Sequence, residues 1–185
     1  MKLAIDIDGV LAQFDTAYTQ LLMKIDPTIK VDVFAADFPV AWSIEDYYGF
    51  SPETVDKAWA EIKNCGIFWK FLFPYPTAWA DIEALNAAKR SHDIYFLTNR
   101  PGATAKRETE EWLRGHGFDR ATVVICSKKQ LFCEAAEIDV LIDDKVDNCW
   151  NHKSTRTFLF KRPYNKEHWS AYSCVDTVRE ALDGI

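Results

Sequence analysis

The chain has 185 residues, 48% of them hydrophobic, enough to bury a core as one domain or as one domain with a small insertion. Its formal net charge of −6, from 28 acidic against 22 basic residues, argues against a nucleic-acid-binding surface, which is usually basic. No apolar run approaches the length that spans a bilayer, so no membrane partner is expected.

The first predicted element is a strand over Lys2–Ile7, entered with no basic-then-apolar leader, which makes the cytoplasm the expected location. Within this run Asp6 and Asp8 stand at i and i+2, so both side chains leave the strand end on one side, and Gly9 lets the backbone turn out of the sheet. Two converging carboxylates repel unless a cation or a proton separates them, which points to a metal site. A plain polar turn is the competing reading. Against it, the carboxylates sit inside an apolar run, with Ile7 between them and Val10 and Leu11 after.

The interval Phe14–Pro76 is too long for one crossover connection. It concentrates aromatic residues, Trp42, Trp59, Phe68 and Trp69 among them, and prolines at 27, 39, 52, 74 and 76. Helical spacing covers Thr16–Lys24 and Glu53–Lys63, while Asp32–Tyr48 reads as loop-rich. This predicts an inserted cap over residues 15–76, leaving residues 1–14 and 77–185 as the core.

Thr77–Arg90 follows as a helix with Trp79, Ile82 and Leu85 on one face, and Thr104–Arg114 as a charged helix stopped by Gly115. Ile94–Thr98, Thr122–Cys126, Val140–Ile142 and Thr157–Phe160 read as strands separated by helix-like stretches, and Asp176–Leu182 as a last short helix. Strands alternating with helices make a parallel, buried sheet. The five cysteines are odd in number and form no CxxC pair, so reduced thiols are expected, with Cys126 and Cys174 acting as small hydrophobes. Cys149 and His152 have zinc-like spacing but no second pair, and His92, His116 and His168, like His152, lie in polar, loop-like contexts.

Further polar groups fall at the predicted strand ends. Thr98, Asn99 and Arg100 end the second strand, Lys128 and Lys129 follow the third, and Asp143 and Asp144 end the fourth. Ligands of open α/β sheets sit at the carboxyl ends of strands, so these groups share one crevice. Four carboxylates with a hydroxyl and a lysine suit Mg²⁺ and a phosphate; they do not suit zinc.

The order D-I-D-G-V, L-T-N-R, lysine and L-I-D-D resembles the four motifs of the haloacid dehalogenase superfamily, over Met1 to about Phe160. Pro163-Tyr164-Asn165 after the fifth strand, with Gly66-Ile67-Phe68-Trp69 before Pro74, is similar to the 5′(3′)-deoxyribonucleotidase family of cytosolic type C nucleotidases. That resemblance implies a three-layer, Rossmann-like α/β sandwich with a parallel five-stranded sheet in the order 5-4-1-2-3 and a small, mostly helical cap after strand one. It implies Mg²⁺-dependent hydrolysis of deoxyribonucleoside monophosphates through an aspartyl phosphate. Asp6 takes the role of nucleophile and Asp8 that of general acid and base. Thr98, Asn99 and a lysine, Lys129 in preference to Lys128, take the phosphate.

Asp6, Asp8 (through its carbonyl), Asp143 and Asp144 would hold the metal, with the direct ligand of the last pair left open. Phe68 and Trp69 are expected either as a shelf for the substrate base or as core. Arg100 is readable as a surface ion pair, and Pro163-Tyr164-Asn165 as shaping the pocket mouth or only redirecting the chain. Two other functions compete: a phosphatase of sugar phosphates or other small metabolites, and a non-catalytic binding module. The expected partner is a small phosphomonoester and not a nucleic-acid polymer; a homodimer is compatible with this.

Overall fold

The computed structural model describes residues 1–149 and 153–185; His152 lies outside them. Six strands form one parallel sheet: β1 (Lys2–Asp6), β2 (Asp93–Thr98), β3 (Thr122–Ile125), β4 (Val140–Asp143), β5 (Arg156–Phe160) and β6 (Cys174–Val175). Their order is β3-β2-β1-β4-β5-β6, the expected order with one edge strand added. The expected count of five is thereby corrected to six. Two residues are too short to show an apolar period, yet Leu159 pairs with Cys174 and Phe160 with Val175.

Register explains where the polar residues go. Asp6 pairs with Leu97, one rung before Thr98, and the β1–β4 ladder runs through Ile5 against Ile142, one rung before Asp6 and Asp143. Thr98, Asp6 and Asp143 therefore emerge side by side from the middle of the sheet, where burial on both faces keeps the strands apolar up to that point.

Among the described residues eight α-helices accompany the strands: α1 (Phe14–Ile25), α2 (Ile44–Tyr48), α3 (Pro52–Cys65), α4 (Ala78–Ala88), α5 (Ala105–Gly115), α6 (Lys129–Ala136), α7 (Val146–Cys149) and α8 (Val178–Asp183). The pleat divides the core. Ala4, Leu97 and Leu141 pack with Cys133 and Ile138 on one face of the sheet. Leu3, Ile5, Phe96 and Ile142 belong to a larger cluster, with Leu85 of α4, Trp112 of α5 and Val178 of α8. That larger cluster continues without a break into Leu22, Ile62 and Trp69 of the 14–76 interval. Trp79 does not join the buried face of α4: it is 57% exposed beside the His116 ring, while Ala78, Ile82 and Leu85 face inward.

Local chemistry sets the helix ends between β1 and β2. Ser51 caps α3, accepting a hydrogen bond from the Thr54 N–H at 3.2 Å, and Pro52 occupies the first turn. Gly66, with φ of 72°, ends α3 in the left-handed region. The chain leaves the sheet and returns to it at one point. The Gln13 N–H donates to the Phe73 carbonyl at 2.8 Å, and the Tyr75 N–H to the Leu11 carbonyl at 2.9 Å. All five cysteines are free. Among the described residues no helix is long and apolar enough to cross a membrane.

Candidate active site

The turn after β1 builds the centre of the site. Both Leu11 and Ala12 donate backbone hydrogen bonds to the Ile7 carbonyl at 2.8 Å, closing a tight loop around Asp8 and Gly9. Gly9 has φ of 78°, and a Cβ there would overlap the Asp144 carboxylate, so both space and backbone require glycine. Arg162 fastens the loop from outside, donating from Nε to the Gly9 carbonyl and from Nη2 to that of Val10 at 3.2 Å.

Lys129, the first residue of α6, is buried between two carboxylates, with Nζ 2.6 Å from Asp6 Oδ2 and 2.7 Å from Asp143 Oδ2. Burial works to lower its pKa, but Asp143 and Asp6 outweigh it and hold the ammonium form. Lys128 is exposed. Asp6 Oδ1 accepts from the Ile7 N–H at 2.7 Å. Asp143 Oδ1 accepts from the Lys145 N–H at 2.9 Å and from Asn148 Nδ2 at 3.0 Å. Asp144 Oδ2 accepts from the Tyr164 hydroxyl, while its Oδ1 is buried and meets no hydrogen-bond donor.

Oxygens of Asp6, Asp143 and Asp144 lie within 4.8 Å of one another. Burial first, then the neighbouring carboxylates, pushes Asp6 well above the usual range against the pull of Lys129. Burial and then Asp143 push Asp144 up to about 6. Three buried carboxylates with one ammonium are two positive charges short when ionised, and one oxygen lacks a partner. The donor set is all oxygen, as a hard divalent cation requires.

Asp8 is arranged differently. Its carboxylate accepts from Arg100 Nε at 2.8 Å, from Arg100 Nη2 at 2.7 Å and from the Thr98 hydroxyl at 3.1 Å. Arg100 is 1% exposed, which removes the surface ion-pair reading; it is a buried clamp on Asp8. Its Nη1 donates to Thr109 Oγ1 at 2.9 Å, and its guanidinium lies 5.0 Å over the Trp69 ring.

A cavity of about 270 Å³ opens over these groups. Asp6, Asp8, Thr98, Asn99, Lys129 and Asp144 line its polar floor. Asn99 is exposed there. Phe14, Tyr18, Trp42, Trp59 and Trp69 line the apolar wall. Phe14 is the hinge of that wall, stacked on Tyr18 at 5.3 Å, on Trp69 at 5.5 Å and on Trp59 at 5.9 Å. Trp69 reaches the cavity but is 2% exposed, with its indole N–H on the Pro101 carbonyl. Phe68 is not among the lining residues; it packs edge-on against Trp69 at 5.1 Å.

Sequence reasoning singled out none of Phe14, Tyr18 and Trp59 for the cavity. Their spacing carried a faint signal, since Phe14 and Tyr18 stand i, i+4 on one helix face directly after the carboxylate turn. Arg100 already stood among the strand-end groups, but nothing in the sequence paired it with Asp8.

A family model described as "5′ nucleotidase, deoxy (Pyrimidine), cytosolic type C protein" matches residues 1–185. No curated protein sequence matches the chain. Several solved structures do. A HAD-superfamily hydrolase of subfamily IA from Geobacter sulfurreducens PCA is 16% identical, with a TM-score of 0.60 and 100% of both chains covered. A hydrolase from Pseudomonas syringae is 13% identical, with a TM-score of 0.59, covering 100% of this chain and 98% of that one. A HAD family hydrolase from Deinococcus radiodurans R1, with bound phosphate and sodium, is 14% identical, with a TM-score of 0.58 and coverage of 98% and 92%. At these identities the likeness is one of fold.

Proposed function

The chain belongs to the cytosolic type C family of deoxy 5′-nucleotidases, phosphoric monoester hydrolases, and from that premise we propose that it is a Mg²⁺-dependent, cytoplasmic 5′-deoxyribonucleotidase acting through an aspartyl phosphate. One observation carries the reading: a single cavity joins the Asp6–Lys129–Asp143–Asp144 cluster to a wall of stacked aromatic rings. The cluster suits a phosphoryl group and the wall suits a base. A sugar phosphate would leave that wall without a flat partner.

Asp6 attacks phosphorus, forming the acyl phosphate and splitting hydrolysis into two displacements. Asp8 gives a proton to the leaving ester oxygen and later takes one from the attacking water. Arg100 and the Thr98 hydroxyl set its orientation, and Thr98 lines the cavity floor where the phosphoryl group would sit. Lys129 and the exposed Asn99 amide offset phosphoryl charge. Asp6, Asp143, Asp144 and the Asp8 carbonyl supply oxygen ligands for Mg²⁺. When bound, the cation neutralises charge on the phosphoryl oxygens and separates the carboxylates. Residues 15–76 act as the cap, since Trp42 and Trp59 bring the apolar wall over the floor.

A phosphate-release screen over deoxyribonucleotides, ribonucleotides and sugar phosphates, with and without Mg²⁺, tests this. Deoxyribonucleoside monophosphates should be the best substrates, with no turnover in chelator. Preferred release from sugar phosphates would overturn the substrate, and release from none would leave a binding module.

A further inference from the structure

Adjacent in sequence, Asp143 and Asp144 use their carboxylates differently. Both oxygens of Asp143 are engaged, Oδ2 by Lys129 at 2.7 Å and Oδ1 by the Lys145 N–H and the Asn148 amide. On Asp144 the Tyr164 hydroxyl takes Oδ2 alone, and Oδ1 is buried without a donor. A buried carboxylate oxygen left bare is destabilising, so its orientation must be imposed by its neighbours and satisfied by a ligand.

The imposing group is itself well anchored. Asn165, next to Tyr164, donates from Nδ2 to the Asp144 main-chain carbonyl at 2.8 Å and to that of Phe160 at 2.9 Å. Its Oδ1 accepts from the Arg162 N–H at 3.0 Å and from Trp169 Nε1 at 2.7 Å. The backbone carrying Tyr164 is thus tied to the backbone carrying Asp144. Trp42 stands edge-on to the phenol at 5.5 Å, and both rings line the cavity. A Cβ at Gly9 would come within 2.9 Å of the Tyr164 hydroxyl, so the pair rests directly on the β1 turn.

We propose that Tyr164 is a positioning residue of the metal site: its hydroxyl holds Asp144 Oδ2 and so leaves Oδ1 turned toward the cation. The assignment rests on the reading that Asp6, Asp143 and Asp144 hold Mg²⁺, and it makes Asp144 a direct ligand through Oδ1. Partners that hydrogen-bond to metal ligands typically tune affinity by roughly 10–100-fold. A phenylalanine at this position keeps the ring packing and removes only the donor.

The test compares the full-length wild-type protein with Tyr164→Phe, both stripped of divalent ions. Titration calorimetry with Mg²⁺ alone should give a dissociation constant about tenfold or more weaker in the variant. The Mg²⁺ concentration that half-activates phosphate release should rise by the same factor, with turnover lost at low Mg²⁺ recovered at high Mg²⁺. Because Mg²⁺ binding is linked to folding, both constants are measured at a temperature well below the melting transition of the ion-free variant, where unfolding contributes to neither. An unchanged Mg²⁺ constant, with a lower melting temperature in chelator, would make Tyr164 a packing residue and overturn the proposal alone. A wild-type protein that binds no Mg²⁺ would overturn the metal reading together with it.

Discussion

Arg100 grips both oxygens of Asp8, with Nε 2.8 Å from Oδ2 and Nη2 2.7 Å from Oδ1. The guanidinium fork is rigid and buried, so it fixes the rotation of the carboxylate that the proposed mechanism uses for proton transfer. Lysine at this position presents one point charge and cannot make the fork. Arg100→Lys is expected to lower kcat by about a hundredfold or more while leaving the protein folded, because misorienting a reacting group by an ångström has effects of that size. Phosphate-release kinetics beside a melting curve measure both. A variant within twofold of wild type would mean that Asp8 needs no such clamp.

Removing the proposed nucleophile should separate activity from stability. Asp6 is one of three buried carboxylates facing Lys129, and its charge is disfavoured by burial and by its acidic neighbours. Asp6→Asn relieves part of that repulsion and leaves Lys129 paired with Asp143. Turnover should fall by at least about a thousandfold, with no loss of melting temperature in chelator. Substantial phosphatase activity in the folded variant would remove the covalent route.

Metal should show in the melting curve before any substrate is added. At a hundredfold excess over its dissociation constant, a ligand that binds only the folded state adds about 2.7 kcal/mol. For a chain of this size that corresponds to roughly 5–10 °C. Millimolar Mg²⁺ should raise the transition by that amount and a chelator should reverse it; a melt indifferent to Mg²⁺ counts against the site.

Asp15, which lines the same cavity, provides a pH test. It lies beside the Tyr75 hydroxyl at 3.2 Å, and burial, then the Asp144 charge, pushes it up to about 7 from 3.8. The folded state therefore holds this proton more tightly than the unfolded chain. The stability that results is complete below about pH 4 and is lost as pH rises through about 7. Asp15→Asn, neutral throughout, escapes that loss. In chelator the variant should gain on wild type as pH rises, by about 2 kcal/mol or more near pH 8, and the advantage should vanish near pH 4. Thermal melts across that range would refute the expectation if the difference stays flat.

The aromatic wall makes a substrate-selective prediction. Stacking on an aromatic side chain contributes about 1–3 kcal/mol per base. Phe14→Ala or Trp59→Ala should therefore cut kcat/KM for nucleotides by roughly tenfold or more, and affect glycerol phosphate, which has no ring, far less. Parallel losses on both substrates with a lowered melting temperature would show core packing instead.

The first five strands were legible because strands buried on both faces read as apolar runs, and because the acidic and hydroxyl groups break those runs at their carboxyl ends; their order came from the family resemblance. Asp6, Asp143, Asp144 and a lysine come together from that pattern, and the resemblance selected Lys129 over Lys128. Arg100 was legible as a strand-end group but not as the buried clamp on Asp8, because its partner lies 92 positions away. The cavity wall was hidden for a related reason. In a segment crowded with rings, sequence does not tell which ring faces solvent, which core and which substrate: of the two rings singled out, Trp69 joins Phe14 and Trp59 in the stack, while Phe68 packs edge-on against Trp69. β6 and the exposed Trp79 fell below the resolution of periodicity itself.

The excursion between β1 and β2 begins and ends on the same backbone rungs, Gln13 against Phe73 and Leu11 against Tyr75, with the Gln13 side chain donating to the Pro74 carbonyl at 2.8 Å. Such a neck works like a socket. Whatever length of chain is spliced between its two sides arrives with its ends already aligned, so insertions and exchanges there leave the spacing of Asp6 and Asp8 untouched.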